Sequence, residues 1–176
     1  SQVQAGKLFS EALKEARVQG FTEPDPRDDL SGQDVARKIL ILAREAGIEL
    51  ELADIPIENL VPPKLRDVPL DQFLGQLSLL DQPIAARARD AAKHHHVLRY
   101  VGSVRADGAA SVELKGFPLT HPLAHVNGSD NVILFQTARY HSQPLVIQGP
   151  GAGTEVTAAG VFADLLRLSA CLGADT

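Results

Sequence analysis

The order of its apolar periods is what most limits the fold open to this chain: helical spacing comes first and last, and strand-like spacing fills most of the middle. Within residues 6–19, Leu8, Phe9, Ala12, Leu13 and Ala16 recur at helical intervals, with Lys7, Glu11, Lys14, Glu15 and Arg17 on the opposite face and Gly20 as the stop. A second helix is expected from Ser31 or Gln33 to Ala46, with Ser31 as its N-cap, Val35, Ile39, Leu42 and Ala46 as its buried stripe, and Gly47 as its end. Residues 70–80 and 84–94 read as two further helices, broken near Asp81-Gln82-Pro83, and residues 154–172 as a last one after the turn GPGAG. Between these, residues 48–55 alternate apolar and polar like a half-buried strand. Runs 97–105, 110–117, 132–139 and 145–148 are β-like, with Asp107-Gly108 as a hairpin turn. Residues 56–70 carry too many prolines for regular structure and are expected to cover a sheet edge. Strands that follow one another without intervening helices predict an α+β (mixed α/β) fold, in which a largely antiparallel or mixed sheet is covered by helices on one face. The same order excludes a doubly wound, Rossmann-type domain within these residues.

Composition narrows the function classes. The 176 residues are 44% hydrophobic and 22% charged, the balance of a globular domain and of neither a disordered chain nor a membrane protein. A net charge of −5 gives no global attraction to nucleic acid or to an anionic membrane. The single Cys171 excludes an internal disulfide and a multi-cysteine zinc site, which favours a reducing, cytoplasmic setting; its apolar helix leads us to expect a buried thiol. The chain has no Met and opens on SQVQAGKLF, as expected for part of a longer protein.

Three stretches could carry chemistry. The segment EPDPRDDLSGQDVARK, residues 23–38, is the most unusual. One reading is a solvated acidic loop leading to a helix on which Asp34 and Lys38 form an i,i+4 ion pair of ~0.3–0.5 kcal/mol. The other starts from the helical wheel, which puts Lys38 on the border of the buried stripe and Asp34 further round. A partly desolvated lysine has a lowered pKa suited to proton transfer, and two prolines would fix Glu23 and Asp29 in place. The turn GPGAG matches neither G-x-G-x-x-G nor a P-loop; it is a tight strand-to-helix connection, or its free N–H groups face a cofactor or anion. His94-His95-His96 are consecutive, so their side chains diverge, and HPLAH at 121–125 lacks the glutamate of a zinc-protease helix. No metal is assigned to either. Asn127-Gly128-Ser129 reads as a turn.

The run from Gly20 to Lys38, GFTEPDPRDDLSGQDVARK, closely resembles the signature of the homoserine dehydrogenase family. LRYVG (98–102), HPLA (121–124), DNV (130–132), GAG (151–153) and VTAAG (156–160) are similar to that family in the same order, so the resemblance covers essentially the whole chain. It implies one catalytic, substrate-binding and dimer-forming domain over residues 1–176, from an enzyme that interconverts L-homoserine and L-aspartate 4-semialdehyde with NAD or NADP on the route to threonine, methionine and isoleucine. By motif position, Lys38 would be the acid/base residue with Asp34 orienting it. Glu23, Asp29 and Asp34 would bind substrate, and Gly151, Gly153, Thr154 and Glu155 would meet the cofactor. The family's nucleotide-binding domain, which carries most cofactor contacts, is not among these residues, so the isolated chain is expected to be inactive. The wording NVILFQTARYHSQPLVIQGPGAG is most like the bifunctional aspartate kinase–homoserine dehydrogenases, which implies a kinase domain elsewhere in the parent. The alternative is a non-catalytic dimerisation or regulatory module of the same fold.

Overall fold

The computed structural model describes residues 6–126, 130–151 and 154–173, and the chain divides into two compact units, Ser1–Ala124 and His125–Thr176. The first unit holds α1 (Phe9–Val18), α2 (Pro26–Leu30), α3 (Gln33–Glu45), α4 (Leu70–Gly75), α5 (Asp81–Lys93) and an antiparallel hairpin, β1 (His96–Val104) and β2 (Ala110–Pro118). The second holds the antiparallel pair β3 (Asp130–Phe135) and β4 (Leu145–Pro150) and the helix α6 (Thr154–Leu172). The α+β expectation is met, with the strands among the described residues divided into two two-stranded sheets.

Two apolar clusters hold the first unit. Leu13, Leu30, Val61, Leu65, Phe73, Leu77 and Leu80 join α1, α2 and α4 to the proline-rich segment. Ala36, Ala43, Leu50, Ile55 and Val112 join α3 to the hairpin. Alternate hairpin residues share one face, and the register pairs Tyr100 with Leu114 and Gly102 with Val112. On that face α3 comes so close to β1 that a Cβ on Gly102 would overlap Ile39 and lie 3.0 Å from Val35 Cγ1. This close approach explains why alanines, not larger residues, form the fully buried positions of α3. Its buried stripe is therefore turned from the expected one: Ala36 and Ala43 are enclosed, Val35, Ile39 and Leu42 half-buried, and Ala46 exposed. Asp81, the first residue of α5, accepts from the Ser10 N–H (2.7 Å) and the Ser10 hydroxyl (2.8 Å). It thereby caps α1, whose own N-cap residue Leu8 has no side-chain acceptor.

Other boundaries move for identifiable reasons. Residues 48–53 alternate in burial but make no ladder: Arg44 donates to the Leu50 carbonyl (3.3 Å), and Glu51 and Asp54 form a reciprocal cap around a 3₁₀ turn at Leu52–Asp54. Sheet contact begins only at Ile57, which bridges to Val112 in parallel sense, so the proline-rich segment does run along the edge of β2. Pro83 lies in the first turn of α5, where its missing N–H costs nothing; the break falls earlier, at the 3₁₀ turn Leu77–Leu80. β3 stops at Phe135 because the Thr137 hydroxyl accepts the Tyr140 N–H (3.1 Å) and closes a turn. The Asp107-Gly108 hairpin turn forms as expected, with Gly108 at φ 85° and the Ala109 N–H donating to Asp107 Oδ1 at 3.1 Å.

No described residue of α6 is buried, and Val161, Phe162, Leu165, Leu166 and Leu168 are all more than half exposed. Cys171 is accordingly exposed and not buried as expected. No helix among the described residues is long and apolar enough to cross a membrane.

Candidate active site

The segment expected to be an irregular acidic loop contains a helix. Pro26 at the first helical position and Asp25 as N-cap, accepting the Arg27 N–H at 3.0 Å, start α2, while buried Pro26 and Leu30 tie it to the core. At the end of α2 the Ser31 hydroxyl donates to the Asp28 carbonyl and accepts the Gln33 N–H at 3.3 Å. The backbone N-cap of α3 is nevertheless Gly32, not Ser31: its φ of 76° turns the chain directly from α2 into α3. A Cβ there would overlap the Tyr100 hydroxyl.

These turns place the expected residues in two pairs. Asp29 on α2 accepts the Glu23 N–H at 2.9 Å, so the loop is folded back on its own carboxylate. On α3, Lys38 Nζ lies 2.8 Å from Asp34 Oδ2, one helical turn apart. Glu23 and Asp29 are exposed, and the Lys38 and Asp34 side chains are 61% and 64% exposed. The expected partial desolvation of Lys38 is thus not supplied by this chain, because the turned stripe leaves position 38 in water. The result is a lysine held by one carboxylate on a rigid helix, with two further carboxylates on the preceding turn. That arrangement can exchange a proton at Nζ and attract a cationic group.

Sequence reasoning passed over the residues that hold this assembly. The Arg27 guanidinium grips the Asp25 carboxylate, with Nε 3.0 Å from both oxygens and Nη2 2.6 Å from Oδ2. Through Nη1 it reaches the carbonyls of Val68 (2.6 Å) and Arg66 (3.0 Å). It also lies 5.3 Å over the buried ring of Phe73. The guanidinium hydrogen bond holds the Asp25 carboxyl below the usual carboxylate range against the opposing effect of burial. Tyr100 on β1 donates from its hydroxyl to the Glu58 carbonyl at 2.7 Å; burial, with the Glu58 carboxylate nearby, pushes the phenol up to about 12. Glu58 itself accepts from Arg87 and from the Leu114 N–H. Burial raises its carboxyl, and these two hydrogen bonds outweigh that effect and leave it below the ordinary range. The prolines at 24 and 26 were the one available signal that this loop is rigid.

In the second unit Gly151 follows β4, and a Cβ on it would overlap the amide of Asn131, an exposed side chain that would have to turn away. Thr154 and Glu155 form the exposed first turn of α6. Gly153 and Asn127-Gly128-Ser129 lie outside the described residues. The three consecutive histidines fall on the C-cap of α5, on a φ of 55° and on the first residue of β1; they do not all diverge as expected, because the turn at His95 brings the His94 and His96 rings to 6.4 Å, tilted by 51°. Among the described residues, no group of three or more His, Cys, Asp and Glu could hold a metal.

A homoserine dehydrogenase family model matches residues 1–166. The chain belongs to the homoserine dehydrogenase family. A chloroplastic bifunctional aspartokinase/homoserine dehydrogenase 2 of Zea mays is 52% identical over 170 residues, which cover 96% of this chain and 18% of that protein. A homoserine dehydrogenase of Schizosaccharomyces pombe is 44% identical, over 91% of this chain and 43% of its own length. The chain thus spans about a fifth of its bifunctional relatives and under half of the single-function ones. Among solved structures, a Candida auris protein of unknown function superposes with a TM-score of 0.86 at 44% identity, covering 93% of this chain and 46% of that one. A Staphylococcus aureus homoserine dehydrogenase does so with a TM-score of 0.66 at 27% identity, over 94% and 38%.

Proposed function

We propose that this chain is the substrate-handling part of a dehydrogenase that interconverts L-homoserine and L-aspartate 4-semialdehyde in the biosynthesis of threonine, methionine and isoleucine. The observation that carries the reading is the Lys38–Asp34 pair at 2.8 Å on α3, with the Glu23–Asp29 turn on the segment that precedes it, in a family whose name states the reaction. A nicotinamide cofactor, NAD or NADP, supplies or accepts the hydride. In the oxidative direction Lys38 takes the hydroxyl proton from homoserine; in the reductive direction it returns a proton to the carbonyl oxygen. Asp34 fixes the position of Nζ for that transfer, because a lysine held in one rotamer need not be ordered at the moment of reaction. Glu23, Asp29 and Asp34 offer the substrate ammonium charge-assisted acceptors.

The exposed first turn of α6 fits the cofactor's nicotinamide–ribose end better than its pyrophosphate. Thr154 and the free N–H groups there can meet neutral polar atoms, whereas Glu155 on the same turn opposes a second negative charge. Gly151 and Gly153 would lie beside that end. Most of the cofactor would be held by a nucleotide-binding domain elsewhere in the parent, which makes residues 1–176 inactive alone. The exposed apolar side chains of α6 support a chain that is covered by other parts of a longer protein or by a second copy in a homodimer. An acidic chain with one free cysteine suits a reducing compartment such as the cytoplasm.

The test compares substrates on the enzyme that joins this chain to its nucleotide-binding domain. L-Homoserine is expected to reduce NAD or NADP, and 4-hydroxybutyrate, which lacks the ammonium, to be about ten- to a hundredfold poorer because the charge-assisted hydrogen bonds to Glu23, Asp29 and Asp34 would be lost. No turnover of homoserine, or equal turnover of the two, overturns the reading.

A further inference from the structure

We propose that Arg27 is the positioning residue that sets the substrate-binding geometry of Glu23 and Asp29, acting from the far side of α2 without touching substrate. The inference rests on the homoserine reading above.

α2 is too short to hold its own position. A helix of five residues lies far below the length at which a helix supports itself, so its position must come from tertiary contacts. Pro26 and Leu30 supply apolar anchors, and the Leu60 N–H donates to the Leu30 carbonyl at 3.0 Å. Those contacts fix the buried face of the helix, and Arg27 adds a polar tie from its N-cap to the 66–68 turn. One edge of its guanidinium takes both oxygens of Asp25, the residue that caps α2, and the other reaches the carbonyls of Arg66 and Val68, about forty positions along the chain. Its face rests on Phe73, which is fully buried.

What α2 carries is Asp29, and Asp29 in turn holds the Glu23 N–H. The path from the 66–68 turn to the two substrate carboxylates therefore runs through one side chain. Only arginine can fill this role: a planar fork is needed to serve a carboxylate and two carbonyls at once, whereas a lysine ammonium is a single point with three donors. Misplacement of binding groups by about 1 Å is enough to cost about a hundredfold in rate, so a loosened α2 is visible in kinetics well before the unit unfolds.

The experiment is steady-state kinetics on the enzyme that contains this chain and its nucleotide-binding domain, comparing wild type, Arg27→Lys and Asp25→Asn. The expected result is a rise of about tenfold or more in the homoserine KM for Arg27→Lys, with the cofactor KM within about twofold of wild type, and a smaller rise in the same direction for Asp25→Asn. A role in overall stability alone would lower the active fraction and leave both KM values in place; that result, or a parallel rise in both, overturns the proposal. If Arg27→Lys does not fold, Asp25→Asn is read by the same two criteria. The wild-type arm separates the two claims: a wild type that does not oxidise homoserine rejects the functional reading itself, whereas an active wild type with an unmoved homoserine KM in the variants rejects only the role of Arg27.

Discussion

Gly32 is the joint between α2 and α3, and replacing it with alanine tests whether the site is held from behind by Tyr100. Two costs add. A φ of 76° is left-handed backbone, which costs a residue with a Cβ about 1–2 kcal/mol. The new methyl would also overlap the Tyr100 hydroxyl and sit 2.9 Å from Ile57 Cγ2 and 3.0 Å from Tyr100 Cζ, an overpacking worth about 1–3 kcal/mol. Gly32→Ala is therefore expected to lose about 2–5 kcal/mol. Tyr100→Phe, which gives up one hydrogen bond to the Glu58 carbonyl, should lose about 1 kcal/mol. In the double variant the offending oxygen is gone while the backbone strain and the Ile57 contact remain, so the sum of the single losses should overestimate the double by about 1–2 kcal/mol. The assay is urea unfolding followed by far-ultraviolet circular dichroism, since the chain has no Trp. Additivity to within about 0.5 kcal/mol would refute the claim that the Tyr100 hydroxyl occupies the space beside Gly32.

Two further outcomes follow from the first unit's polar ties. Glu58 has a folded pKa below its ordinary value of 4.5, so its contribution is present above about pH 4.5 and lost as the pH falls through the folded value; Glu58→Gln should cost up to about 1 kcal/mol at neutral pH and nothing once the wild-type group is protonated, which acid unfolding curves of the two would show as convergence. Asp81→Ala leaves the N-terminus of α1 uncapped and is expected to cost about 1–3 kcal/mol in urea, with Ser10→Ala costing less because the backbone N–H contact survives.

Features set by local spacing were legible in the sequence. α6 spans the expected 154–172, and the Asp107-Gly108 turn joins β1 to β2, because caps, turn residues and a sustained period are all short-range. The Asp34–Lys38 pair was legible for the same reason, four residues being one helical turn. What went unread is long-range. The alternation at 48–55 reports the burial of Leu50 correctly but puts Ile55, which is also buried, on the opposite face, and it cannot say that Glu51 and Asp54 will cap a turn instead of joining a ladder. On α3 the expected Val35 and Ile39 do meet β1 at Gly102, some 60 positions away, but Ala36 and Ala43 are the positions fully enclosed, which a helical wheel alone does not say. Arg27 gave no signal at all, since its partners at 66–68 are set by the fold and are backbone carbonyls that any residue could provide. The substrate itself came from the resemblance of residues 20–38 to a family, and not from any period or spacing.

The proposed reaction requires Lys38 to move the proton. The most direct measurement is kcat for L-homoserine oxidation by the enzyme containing this chain and its nucleotide-binding domain, in wild type and Lys38→Ala. Loss of a positioned acid/base group predicts a fall of about 10²–10⁴-fold in kcat with a much smaller change in homoserine KM. A Lys38→Ala enzyme that keeps kcat within a few-fold of wild type would contradict the account.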